Sequence, residues 1–191
     1  MSSRPHEDFS LNSRTRGAGP LAAGQIIMQR SLLVAALLAA ATLPAYTEDA
    51  TVGYKSLAPD VALDMARAAL DQCRKDGFQV AVTVIDRFGQ PLVVLRDRFA
   101  GLGAISTATG KAWTAVNFGR DTGELFKAMQ AGQFSTEYSK LPNVVILAGG
   151  MIVQAGGATL GGIGVAGASG GDKDEACAKA GLSAVQDRLD F

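Results

Sequence analysis

Two strand-like runs joined by a tight turn restrict this chain more than anything else in it. Residues 78–86 (FQVAVTVID) and 91–97 (PLVVLRD) are rich in β-branched residues, and Arg87-Phe88-Gly89-Gln90 sits between them. Runs of that kind separated by a short glycine-containing turn read as a β-hairpin. Val80, Val82 and Val84 share one face; Ala81, Thr83 and Ile85 share the other, so both faces are expected to be covered. A hairpin makes the sheet antiparallel at its root and removes the strictly alternating βα pattern of a parallel sheet.

The flanking segments extend this plan. Pro59 and Asp60 open a helix, proline suiting the first turn and the carboxylate the helix dipole. Val61, Met65, Ala69 and Cys73 recur every fourth position, and Gly77 stops the run. Residues 105–118 read as a second helix built on Ala108, Ala112, Ala115 and Val116. Asp121 and Glu124 have the spacing of a capping box for a third, running through Met129. Residues 132–143 look irregular. Residues 144–147, 151–154 and 159–165 then read as three short strands divided by Gly149-Gly150 and Gly156-Gly157, an antiparallel meander. Residues 172–189 form the last helix, with acids in its first turn and Arg188 near its end. The expected order is α-β-β-α-α-β-β-β-α, an α+β domain with five antiparallel strands.

Upstream lies a different kind of sequence. Met28-Gln29-Arg30-Ser31 gives a basic start, residues 32–43 (LLVAALLAAATL) are apolar, and Pro44-Ala45 follow. That is the layout of a secretory signal peptide, and the run is too short for the roughly 20 residues that span a bilayer. Residues 28–45 are therefore read as a signal peptide. Residues 1–27 are rich in Ser, Arg, Gly and Pro, and carry Glu7 and Asp8, which suits Met28 as the true start. The mature chain, residues 46–191, is one domain's worth of sequence, and its expected location is periplasmic or secreted.

Setting aside the leader's four arginines and two acids leaves 14 basic and 16 acidic residues. That balance gives no electrostatic footprint for nucleic acid and no cluster for a membrane surface. The single histidine, His6, lies in the leader. The mature chain thus has no Ser-His-Asp set, no Cys-His pair and no histidine-based metal site, so no catalytic residue is assigned. Asp172, Asp174 and Glu175 could hold a hard cation loosely, but a helix N-terminus accounts for them. Gly162-x-Gly164-x-x-Gly167 matches a dinucleotide fingerprint, yet no βαβ unit surrounds it and those same acids would repel a pyrophosphate. A strand packed closely under a helix explains the glycines. Gly110-Lys111 lacks the spacing of a phosphate-binding loop. Lys111, on an otherwise small and apolar helix, reads either as a snorkelling surface residue or as a cation at a pocket mouth for an acidic ligand. Cys73 and Cys177 each fall on an Ala-rich helical pattern; a disulfide and two buried thiols both remain open.

Four motifs in order carry a more specific message. GKAWTAV at 110–116, LAGG at 147–150, GGIGVAG at 161–167 with DEACA at 174–178, and the hairpin VTVIDRFGQPLVVLR at 82–96 resemble the GlcG/HbpS family, which includes the C-terminal domain of PduO-type proteins. The resemblance spans residues 56–188. It implies a profilin-like sandwich of an antiparallel sheet flanked by helices, assembled into homo-oligomers (octamers in some members). Some exported members bind haem; others stand beside glycolate or corrinoid metabolism. It therefore implies an exported, non-catalytic haem- or tetrapyrrole-binding homo-oligomer. The alternative is an accessory factor or enzyme acting on a small carboxylate gripped by Lys111 and Arg98. This sequence departs from the family in lacking a histidine after the leader, and in reading Arg98-Phe-Ala-Gly-Leu-Gly where a Met-Asp-Gly-Ala type is common. Met65, Met151, Tyr54 and Tyr138 are then the soft or phenolic candidates for iron, and Arg96, Arg98 or Lys111 could pair with propionates.

Overall fold

The computed structural model describes residues 50–189. The chain divides into two units, Met1–Val52 and Gly53–Phe191. The leader expected at residues 1–45 lies outside the described residues.

Helix α1 (Pro59–Lys75) starts on Pro59, carries Asp60 in its first turn and ends before Gly77, whose φ is +82°. Its four-residue repeat becomes a buried stripe of Met65, Ala66, Ala69, Leu70 and Cys73. Strands β1 (Ala81–Asp86) and β2 (Pro91–Arg96) pair antiparallel, with Val82 opposite Leu95 and Val84 opposite Val93. Asp86 closes the turn: its Oδ1 accepts the N–H groups of Phe88 and Gln90, each at 2.8 Å. Helix α2 (Ala104–Phe118) ends on Gly119 at φ +65°, and α3 (Thr122–Gln130) follows. A 3₁₀ turn, Thr136–Lys140, interrupts the irregular stretch. Strands β3 (Gly150–Ala155) and β4 (Ala158–Ala166) form a second hairpin across Gly156 and Gly157, both at positive φ. Helix α4 (Gly171–Ser183) and a short 3₁₀ turn, Gln186–Arg188, complete the described chain.

The sheet has four strands in the order β2-β1-β4-β3, every pair antiparallel. The fold is α+β, as expected, with one strand fewer. Residues 144–147 are not a strand. Pro142 and Asn143 (φ +66°) precede them, and the Val145 N–H is taken by Thr114 Oγ1 of α2 at 2.8 Å. Val144 and Ile146 are buried with Leu125 in a separate cluster. A side-chain acceptor on a helix stands where a ladder partner would be.

The two faces of the sheet pack differently. Val82, Val84, Ile163 and Val165 meet α1 and α4 in the main core, where each buried aliphatic side chain contributes about 1.5–3 kcal/mol. On the opposite face Ala81 and Ala166 meet Ala104 and Ala108 of α2, and Thr83 hydrogen-bonds Thr109 at 3.0 Å. Helix α2 lies so close to β4 that a methyl group on Gly164 would strike the Ala108 carbonyl, and one on Gly162 would come within 2.8 Å of Val116. Gly162 and Gly164 of the G-x-G-x-x-G pattern thus serve close helix–strand packing, while Gly167, at φ +130°, lies against Gln79 and Val80. Cys73 and Cys177 form a disulfide between α1 and α4, with Cα atoms 5.5 Å apart.

Candidate functional site

The close approach of α2 to β4 leaves space beyond the end of that strand. A cavity of about 790 Å³ opens there, between α2, α3, the start of α4 and the loop that follows β4. Its volume falls within the range of about 300–1,000 Å³ usual for small-molecule and cofactor sites. Much of the wall is small residues: Ala104, Ala148, Ala166 and the run Gly167-Ala168-Ser169-Gly170-Gly171. Phe126 and Leu147 add apolar surface, and Lys111, Lys127, Asp172, Asp174 and Glu175 supply charge.

Lys111 projects from the α2 face that abuts the sheet, and its residue is only 2 % exposed. Its Nζ donates to Asp174 Oδ2 at 2.7 Å and to the Val165 carbonyl at 2.9 Å. Gly149, at φ +115°, leaves the room this side chain needs: a Cβ there would lie 3.0 Å from Nζ and 2.6 Å from the Asp174 Cβ. Asp174 uses its other oxygen to accept the Ala168 N–H at 3.0 Å. One buried carboxylate therefore ties α2, α4 and the loop after β4 together. Burial pushes the Asp174 carboxyl above its ordinary value, while the hydrogen bond and charge of Lys111 pull it back down.

Asp121 departs from the capping-box expectation. It stands at the N-cap of α3 but makes no side-chain cap bond. Its Oδ1 instead accepts the Ile152 N–H on the edge strand at 2.9 Å, and burial raises its carboxyl. Thr122 does similar work, accepting the Gly150 N–H at 2.8 Å. Together they hold the edge of the sheet against α3.

The residues singled out from sequence scatter. Lys111 lines the cavity. Arg96 lies on β2, its Nη1 donating to the Ala100 carbonyl at 3.4 Å, and Arg98 sits 5.9 Å from the Phe99 ring; neither lines the cavity. Met151 is half-buried against the main core, and Met65 is fully inside it. Tyr54 meets Phe88 edge to face, and Tyr138 packs on Phe134. Asp174, Lys127, Glu175 and Phe126 were not assigned a ligand role from sequence. Asp174 reads locally as a helix-start acid, and nothing in its neighbourhood announces a lysine 63 positions away. Among the described residues no group of three or more His, Cys, Asp or Glu side chains is placed to hold a metal ion, and no helix is long and apolar enough to cross a membrane.

This arrangement of an antiparallel sheet with helices on both faces has clear counterparts. Residues 57–183 match the family described as haem degrading protein HbpS-like, and the chain belongs to that family. A double mutant of HbpS from Streptomyces reticuli is 39 % identical and superposes with a TM-score of 0.67, covering 74 % of this chain and 95 % of that one. A solved PduOC:heme complex is 29 % identical with a TM-score of 0.62, covering 68 % and 94 %. The corrinoid adenosyltransferase PduO of Salmonella typhimurium is 32 % identical over 107 residues, 55 % of this chain. The chain spans about a third of the length of the curated relatives it matches, 32 % in that case.

Proposed function

We propose that the mature chain is an exported, non-catalytic haem- or tetrapyrrole-binding protein that works as a homo-oligomer. The observation that carries this reading is the cavity of about 790 Å³, walled by alanine, glycine, Phe126 and Leu147, with lysines at hand. Such walls suit the flat apolar faces of a macrocycle, and lysines suit its carboxylates. The likeness to a protein solved with haem supports the ligand class. A disulfide between α1 and α4 supports an oxidising compartment. The fit is to the macrocycle and its carboxylates; among the described residues the cavity wall includes no His, Cys, Met or Tyr for the iron.

Titrating hemin into the purified chain tests the reading. A Soret shift that saturates at a fixed ratio is expected, and no shift would remove it. Export is checked by N-terminal sequencing of the mature form, which should begin near Tyr46, and assembly by light scattering. A second reading, an accessory factor or enzyme acting on a small carboxylate of the glycolate type, draws on the exposed Lys127 at the cavity. Saturable glycolate binding by a chain indifferent to hemin would select it.

A further inference from the structure

The side chains that ordinarily hold a haem iron are His, Cys, Met and Tyr. The whole sequence has one histidine, two cysteines, five methionines and three tyrosines, so each can be placed. His6 precedes the proposed cleavage site, as do Met1 and Met28, and Tyr46 stands at it. Both cysteines are used in the disulfide. Met65 is completely buried between α1 and the sheet, while Met151 and Met129 pack against the main core and the Leu125 cluster. Tyr54 and Tyr138 are engaged with Phe88 and Phe134. None of the described members of this set lines the cavity. The buried Lys111 Nζ donates to a carboxylate and a carbonyl and has no lone pair to offer as an ammonium.

What the cavity does offer is flat surface and charge at its edge. Lys127 is exposed and lines the cavity, and its side chain has no hydrogen-bond or ion-pair partner among the described residues. Glu175 also lacks an ion pair among them, its carboxylate resting over Gly123 at the start of α3. Asp172 is paired with Lys173 at 3.4 Å and Asp174 with Lys111. Among the described residues of the wall, Lys127 is thus the cation free to meet a ligand carboxylate, and Glu175 the carboxylate free to oppose one.

We propose that this cavity takes a tetrapyrrole by its faces and its carboxylates and not by its metal, so that an iron-free porphyrin dicarboxylate is as good a ligand as hemin. The proposal rests on reading the cavity as a tetrapyrrole site, and it fixes the chemical feature by which that ligand is recognised. Lys127 is the anchor. Glu175 sets the limit on affinity through like-charge repulsion.

The test is a parallel titration of the mature chain from Tyr46, purified free of ligand, with hemin and with protoporphyrin IX, followed by absorbance and by quenching of Trp113. The two dissociation constants should agree within about threefold. Lys127→Ala should weaken both by the same factor, about two- to fivefold, the range for an exposed ion pair. Glu175→Gln should tighten both by a similar factor. Both positions are on helix surfaces at the cavity, so these variants should keep the parent's circular dichroism. Hemin binding more than tenfold tighter than protoporphyrin, a six-coordinate low-spin hemin spectrum, or a Lys127→Ala effect confined to one ligand would overturn the inference and leave the tetrapyrrole reading standing. Failure of both ligands to bind would overturn the two together.

Discussion

Replacing Lys111 by methionine keeps the bulk of the side chain and deletes its charge, leaving Asp174 buried beside an apolar neighbour. The pair is 2.7 Å apart, with side-chain exposures of 2 % and 6 %. Removing one partner from a buried pair costs about 3–5 kcal/mol, because the remaining charge stays desolvated. An exposed pair such as Lys140–Glu137, at 74 % and 76 %, contributes about 0–1 kcal/mol. For a domain of this size the melting temperature should fall by about 10–20 °C. The loss should also depend on pH. Burial already raises the Asp174 carboxyl above its ordinary value, and the Lys111 hydrogen bond is the largest opposing influence. Without Lys111 that carboxyl rises further. A carboxyl raised in the folded state holds its proton more tightly there than in the unfolded chain. Its stabilising contribution is therefore fully present below the unfolded value and is lost as pH climbs through the folded one. The deficit of Lys111→Met should be greatest at neutral pH and shrink on acidification toward pH 4. Lys111→Met/Asp174→Asn removes both charges while keeping an acceptor for the Ala168 N–H, and should recover more than half of the loss. Thermal melts of the parent, both single variants and the double variant between pH 4 and 8 decide the matter. A single variant within 1 kcal/mol of the parent, or a deficit that grows in acid, would refute the reasoning.

Two further outcomes follow from the packing. Cys73→Ala/Cys177→Ala opens a link that spans 104 positions and should cost about 2–5 kcal/mol, read as a lowered denaturation midpoint that added reductant lowers no further. Gly164→Ala drives a methyl group into main-chain atoms of Ala108 and Ala112, which cannot turn aside as a side chain can. Its cost should lie at the upper end of the roughly 1–3 kcal/mol of overpacking, and chemical denaturation showing no loss would mean that α2 is free to lift from the sheet.

The parts of this fold that were legible in the sequence are those specified locally. Proline at 59, the four-residue repeat and Gly77 bound α1 within a few residues; the hairpin declares itself through β-branched runs and Gly89. The glycines of β4 could be read as a packing device because no phosphate-binding context surrounds them. Residues 144–147 differ from the expected strand because an apolar β-branched run looks the same whether a strand or Thr114 takes the Val145 N–H. Asp121 shows the spacing of a cap, yet its partner is Ile152, 31 residues on. The candidate site was legible only in Lys111. Its counter-ion lies at the far side of the sheet's end, and Lys127 and Phe126 look like any other residues on a short amphipathic helix. Long-range pairings leave no mark in a window of ten residues.

The glycines on which α2 rests also govern how selective the neighbouring cavity is. Gly162 and Gly164 bring the main chains of that helix and β4 together, and Gly167, Gly170 and Gly171 form part of the rim, so much of the hollow's outline comes from main chain. Rotamers can rearrange around an awkward guest; a peptide wall fixed by its own hydrogen bonds has little such slack. Molecules should be admitted or refused here according to thickness and outline, and adjustment falls to the few long side chains at the mouth.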